Sequence, residues 1–194
     1  MYHVLKSSDV LEILIPVLNY LNDARVDQSK AGLVHMGVFV LLLLSGERNF
    51  GVRLNKPYTA AVPMDISVFS GSHADLLIIV FHKVSSVITH CDIVITQIPR
   101  TDCLLQIITT GHQRLQPLFE CLLTILANIS PYIKTLSMTA ACKLLHLVEA
   151  FSTPWFLLAN KTNHQLVFFL LEMLNNLIQY QFDGNSNLAY TMIR

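Results

Sequence analysis

Apolar residues recur at helical spacing in one run after another, and this repetition constrains the fold more than any other feature. Pairs of such helices joined by short turns form the repeat unit of an α-solenoid. The pattern therefore predicts an all-α fold, an armadillo/HEAT-like α-solenoid fragment with one long packed loop. The predicted helices cover about 9–21, 29–44, 73–83, 113–127, 137–151, 163–180 and 188–193. Ser72 with Asp75 predicts the cap of the helix at 73–83.

Charged surface is scarce for a chain of 194 residues, because only 13% are charged, 53% are hydrophobic and the mean hydropathy is +0.50. Soluble domains usually carry about 25% charged residues, so lipid or further protein must cover some faces. A spanning helix needs roughly 18 uncharged apolar residues, whereas the best candidate, 31–46, has 16 and includes His35. The favoured interpretation is burial in a longer helical stack, with an integral membrane helical domain as the alternative.

The balance of charge and the start of the chain restrict the function further. Thirteen basic and 13 acidic residues without a basic run give no nucleic-acid surface. The opening MYHVLKSSDV lacks the basic and apolar regions of an export signal. The four cysteines are therefore expected to be reduced thiols in a cytoplasmic protein.

No set of residues in the sequence predicts catalysis. His90, Cys91, Cys103 and His112 come nearest to a metal ligand set, but no CxxC or HxxxH pair anchors them. The glycines of 46–51 lack the Lys-Ser/Thr pair of a phosphate loop. We predict no catalytic residue, metal, cofactor or small-molecule substrate. The chain is then a non-enzymatic scaffold or, alternatively, a non-catalytic helical part of a larger enzyme.

The passage 45–72 interrupts the helical pattern and is the best candidate for recognition. Its glycines and prolines predict a loop, and its interleaved apolar residues predict that this loop packs down on the helices. Interfaces favour arginine and tyrosine, which combine contact area with hydrogen bonding. Alternatively, the two arginines bond carbonyls left unpaired in the loop and at the end of the preceding helix. The candidate partner-binding residues are Arg48, Phe50, Arg53, Lys56 and Tyr58.

Residues 84–106 do not fit the helical pattern on either side of them. They are rich in β-branched residues, and 93–96 reads as a strand that has no evident partner in a helical stack. The chain therefore divides into three parts. Residues 1–83 are helical repeats with the loop 45–72, residues 84–106 are an anomalous insertion, and residues 107–194 are helical repeats.

Four stretches of the chain carry a resemblance to other sequences. They are LLLLSGERNFGVRLNKPY (41–58), VPMDISVFSGSHADLLIIVFHK (62–83), GHQRLQPLFECLLTI (111–125) and FFLLEMLNNLIQYQFDGNSNLAYTMIR (168–194). They closely resemble the high-temperature-induced dauer-formation protein family, which is related to the dymeclins. The resemblance implies a long helical-repeat protein without enzymatic activity that attaches peripherally to Golgi and trans-Golgi membranes from the cytosol. It also implies protein partners and a role in secretory-granule and neuropeptide vesicle biogenesis.

The chain departs from this family pattern in two places. Family members are anchored through an N-myristoylated glycine after the initiator, whereas the second residue here is Tyr2. We therefore expect a fragment without its own anchor. In the family pattern Lys83 leads almost directly into Ile107, and the 23 residues between them begin with valine and end with glutamine, as an intron left in the reading frame would. Residues 84–106 are interpreted as disordered or as a gene-model artefact, which sequencing of the transcript decides.

Overall fold

The computed structural model of the protein describes residues 10–24, 31–58, 70–83 and 116–194. These ranges are predominantly helical, and their β structure is a single isolated bridge between Pro57 and Ser72. The all-α prediction is thus confirmed for the described part of the chain. Short 3₁₀ turns, Ser130–Tyr132 and Phe182–Gly184, also occur. The helices are α1 (Val10–Ala24), α2 (Ala31–Ser45), α3 (Arg48–Arg53), α4 (73–83), α5 (Gln116–Ile129), α6 (Met138–Phe151), α7 (Pro154–Ala159), α8 (Asn163–Gln181) and α9 (Ser186–Ile193).

α1 packs against α2 through an apolar stripe whose residues recur every three or four positions. Leu14 and Leu18 of this stripe are fully buried. Where the two helices meet, Val17 lies against Gly37, and a Cβ atom on Gly37 would lie 2.9 Å from Val17 Cγ1. The missing side chain therefore allows α1 and α2 to approach each other closely.

α2 is apolar all round, a pattern typical of a helix enclosed by neighbours. One face is enclosed, since Val34, Val38 and Leu41 are buried and the helix packs against α1 and α5. An apolar stripe on the rest of α2 is exposed among the described residues, so its burial in a longer helical stack stays a prediction. The exposed residues are Leu33, Met36, Phe39, Val40 and Leu43.

The predicted uninterrupted loop over 45–72 is wrong near its start, where Arg48–Arg53 form helix α3. Phe50 and Leu54, one helical turn apart, are buried in the core and hold α3 down. α3 packs against α2 and α5, so this part of the passage does pack on the helices as expected. Residues 59–69 of the predicted loop lie outside the described residues.

The segment 130–137 connects α5 to α6 and is bound from two sides by side-chain amides. On one side Asn55 donates to the Tyr132 carbonyl and accepts from the backbone N–H of Lys134, at 2.8 Å in each case. On the other side Gln181, Asn185 and Asn187 donate to carbonyls of the segment at 2.8–3.3 Å. The part of this segment that follows the 3₁₀ turn has no helical hydrogen bonds of its own, so its backbone groups need such partners.

The anomalous insertion 84–106, with its predicted strand at 93–96, lies outside the described residues. The interpretation of this insertion stays a prediction. His90, Cys91, Cys103 and His112 also lie outside the described ranges.

Candidate functional site

The candidate partner-binding surface comprises α3 and the turn that leads from it to Tyr58. Glu47 is the N-cap residue of α3 and has extended backbone angles, without a side-chain capping bond. The backbone N–H of Leu54 donates to the Phe50 carbonyl at 3.2 Å, which closes the helix. The backbone N–H of Lys56 then donates to the Arg53 carbonyl at 3.0 Å and turns the chain towards α4.

The structure brings four of the five predicted contact residues to the surface. Arg48 and Lys56 are exposed, and Arg53 and Tyr58 are half-buried. Phe50 is different, because its side chain is only 1% exposed and lies in the core. Phe50 therefore anchors α3 in the core. The prediction that Phe50 contacts a partner does not fit this buried position.

The turn is fixed to the beginning of α4 on its far side. The backbone N–H and the Nδ1–H of His73 both donate to the Lys56 carbonyl, at 3.2 Å and 2.8 Å. The backbone N–H of Tyr58 donates to the Gly71 carbonyl at 2.8 Å. The Tyr58 ring also meets the His73 ring edge-on, with 5.6 Å between centroids. A surface that is ordered before binding loses less conformational entropy when a partner binds.

Asp75 joins the N-termini of α4 and α6. Its Oδ2 accepts from the backbone N–H and the hydroxyl of Ser72, at 2.9 Å and 3.1 Å. Its Oδ1 accepts from the backbone N–H of Ser137 at 2.9 Å. The Ser72–Asp75 spacing predicted the helix cap, but the bond to Ser137 crosses 62 positions of the chain and no local pattern signals it.

A cluster of basic side chains lies where the end of α4 meets α6. The His82 and His146 rings are 6.1 Å apart between centroids and tilted by 44°. Burial, together with the nearby charges of Lys143 and His146, lowers the pKa of His82 from 6.5 to about 4. His82 is therefore neutral at pH 7 in the folded chain.

Acidification from pH 7 to pH 5 is expected to destabilise the chain through His82. A pKa lowered by folding means that the unfolded chain takes up the proton first, so the stabilisation present above pH 6.5 is lost as the pH falls towards 4. His82→Gln should lose less stability over this range than the wild type, as measured by urea unfolding at both pH values. His164→Gln, at an exposed position of α8, is the matched control. Equal pH dependence of wild type and His82→Gln would refute this role.

Neither a metal cluster nor a membrane span is found in the described ranges. Within 10–24, 31–58, 70–83 and 116–194, no three His, Cys, Asp or Glu side chains are placed to share a metal ion. None of the helices in these ranges has the length and apolarity needed to cross a bilayer.

A family model described as "High-temperature-induced dauer-formation protein" matches residues 1–194. The chain is similar to Protein HID1 of Mus musculus and of Homo sapiens, with 65% identity over 194 residues in each case. It is also similar to the Ubp5-interacting protein ftp105 of Schizosaccharomyces pombe, with 27% identity over 187 residues. These matches cover 100%, 100% and 94% of the chain, but 22%, 22% and 18% of the relatives. The chain thus spans about a fifth of the length of these curated relatives. No solved structure matches it at a significant level.

Proposed function

The chain belongs to the high-temperature-induced dauer-formation protein family, and from this premise we propose that it is a stretch of a non-enzymatic helical scaffold. The scaffold acts at Golgi and trans-Golgi membranes, in the biogenesis of secretory granules and neuropeptide vesicles. It attaches peripherally from the cytoplasmic side in the longer protein. The observation that carries the proposal is the family match over all 194 residues, together with the sequence resemblance that implies Golgi attachment.

An armadillo/HEAT-like α-solenoid is the architecture we propose for this scaffold. Two rows of helices support it. In the first row α2 packs on α5 and α5 packs on α8. In the second row α9 packs on α6, and α6 meets α4 through the Asp75–Ser137 bond. Packing of each helix on its neighbours in the stack is the arrangement that solenoid repeats use.

Presentation of a fixed surface is the mechanism that this scaffold would use. Arg48 and Lys56 give the surface around α3 a positive charge, and Tyr58 lies beside them, held by its bond to Gly71. Basic surfaces favour acidic partners, chiefly by speeding encounter and by fixing orientation. The fission yeast relative is named as an interacting protein of Ubp5, which supports a protein partner for this chain as well.

Charge reversal at the surface tests this function. Arg48→Glu with Arg53→Glu in the full-length protein should lower the amount of captured partner roughly tenfold, because opposite charges then become like charges. Quantitative co-immunoprecipitation from Golgi-enriched membranes of secretory cells measures the captured partner. Carbonate washing of the same membranes tests how the protein is attached to them. Carbonate should release the protein if its attachment is peripheral.

The matched control is Lys161→Glu, which reverses an exposed charge in the turn between α7 and α8. Circular dichroism of each variant establishes that it is folded. If the double variant captures as much partner as the wild type, then Arg48 and Arg53 serve only the structure of the α3 region.

A further inference from the structure

An apolar stripe of α2 faces outward without a single charge. Leu33, Met36, Val40 and Leu43 follow each other at intervals of three or four residues, and Phe39 lies beside them. Met36 is 66% exposed and Phe39 is 55% exposed. Contiguous exposed apolar patches on monomeric proteins mark interaction sites more often than isolated apolar residues do.

The exposed stripe could be explained most simply if α2 had no defined buried face. The opposite side of the helix rules this explanation out. Val38 and Leu41 are almost completely buried, and α2 packs there on α1 and α5. α2 is thus a well-packed helix with a second apolar face.

We propose that the exposed stripe of α2 is the seat of an amphipathic helix from a part of the same polypeptide that lies outside these 194 residues. The mammalian relatives extend far beyond this stretch, which accounts for 22% of their length, so a long remainder is available to supply the helix. Permanently buried interfaces resemble a protein core, whereas interfaces with transient partners are about as polar as the remaining surface. An uncharged stripe fits the permanent kind.

The stripe also defines the chemistry of its occupant. From Leu33 to Leu43 it is about 15 Å long at 1.5 Å per residue, which corresponds to three helical turns. A helix that presents aliphatic or aromatic residues at i, i+3, i+4 and i+7 matches it. A lipid surface fits less well, because membrane-surface helices carry Lys and Arg on their polar face, whereas α2 has no charged residue and its other face is in the core.

Photo-cross-linking in the full-length protein tests this assignment. p-Benzoylphenylalanine is placed at position 39 instead of Phe39, and cross-linked peptides are identified from a mixture of light and heavy isotope-labelled copies. We expect links within one copy to a peptide outside these 194 residues. Links to another segment of these 194 residues, to a second copy, to a different protein or to lipid would each overturn the proposal. The control is the same probe at Leu158 of α7, which is 86% exposed and should yield no cross-linked peptide, because excited benzophenone does not react with water; the same outcome at position 39 would also overturn the proposal.

A stability measurement gives an independent readout. Met36→Lys with Phe39→Lys should lower the melting temperature of the full-length protein by several degrees, whereas Leu158→Lys should not change it. If the double lysine variant does not accumulate, cross-linking at position 39 decides. The inference rests on the helical stack proposed above, not on the α3 surface. If position 39 gives no cross-link while partner capture still depends on Arg48 and Arg53, the α2 seat alone is overturned. If position 39 gives the expected cross-link while capture does not depend on the two arginines, the α3 surface alone is overturned.

Discussion

Replacing Asp75 with alanine is expected to lower the free energy of unfolding by roughly 4 kcal/mol. The Asp75 carboxylate is 3% exposed and accepts three hydrogen bonds, two from Ser72 and one from Ser137. Replacing it with alanine leaves these three donors without their acceptor. It also removes the negative charge that lies at the N-termini of α4 and α6. A negative group is favourable at a helix N-terminus because the aligned peptide dipoles place a partial positive charge there. One substitution thus weakens two helix starts.

Urea unfolding of the chain at pH 7 measures this effect, and two further variants make the result specific. Asp75→Asn keeps one acceptor oxygen and should lose about half as much stability as the alanine variant. Ser137→Ala removes the hydroxyl that accepts from the backbone N–H of Ala140, but it keeps the backbone N–H that bonds Asp75. It should cost about 1 kcal/mol, the usual value of an N-cap. An Asp75→Ala loss no larger than that of Ser137→Ala would show that Asp75 does not link the two helices.

Features that depend on neighbouring residues were predictable from the sequence. The spacing of Ser72 and Asp75 predicted the start of α4, and Ser137 at the predicted start of a helix is the N-cap of α6. α3 was missed because Gly46 and Gly51 signalled a loop. The apolar pair Phe50 and Leu54 was the contrary signal, and burial of this pair outweighs the local preference for a turn.

Features that depend on distant residues were not predictable. Asn185 reads as a turn residue in sequence, yet its amide nitrogen reaches two carbonyls more than 50 positions earlier. α2 is likewise apolar on all sides, so its sequence does not distinguish the buried face from the exposed face. The same uncertainty affected the candidate surface, where an aromatic side chain among charges was interpreted as a contact residue and Phe50 lies in the core.

Replacing Gly184 with alanine is expected to lower the free energy of unfolding by roughly 3 kcal/mol. Gly184 ends the 3₁₀ turn Phe182–Gly184, and a Cβ atom there would collide with the carbonyl oxygen of Lys134. That carbonyl belongs to the backbone of 130–137, which Asn55 and Asn185 hold in place. The backbone cannot move aside without breaking these bonds, so the clash is not relieved by rotation of a side chain. Thermal and urea unfolding of the variant measure the loss.

Gly32→Ala is the matched control, because it makes the same chemical change where space is available. No atom lies within 4 Å of the Cβ position of Gly32, which is the second residue of α2. Alanine should therefore stabilise the chain by at most about 0.5 kcal/mol, because the full difference in helix propensity applies only to the helix interior. Among the described glycines none has a positive φ, so a left-handed backbone does not explain a loss at Gly184. Opposite signs for the two substitutions would assign that loss to the close approach of Lys134, whereas losses at both positions would point to chain flexibility instead.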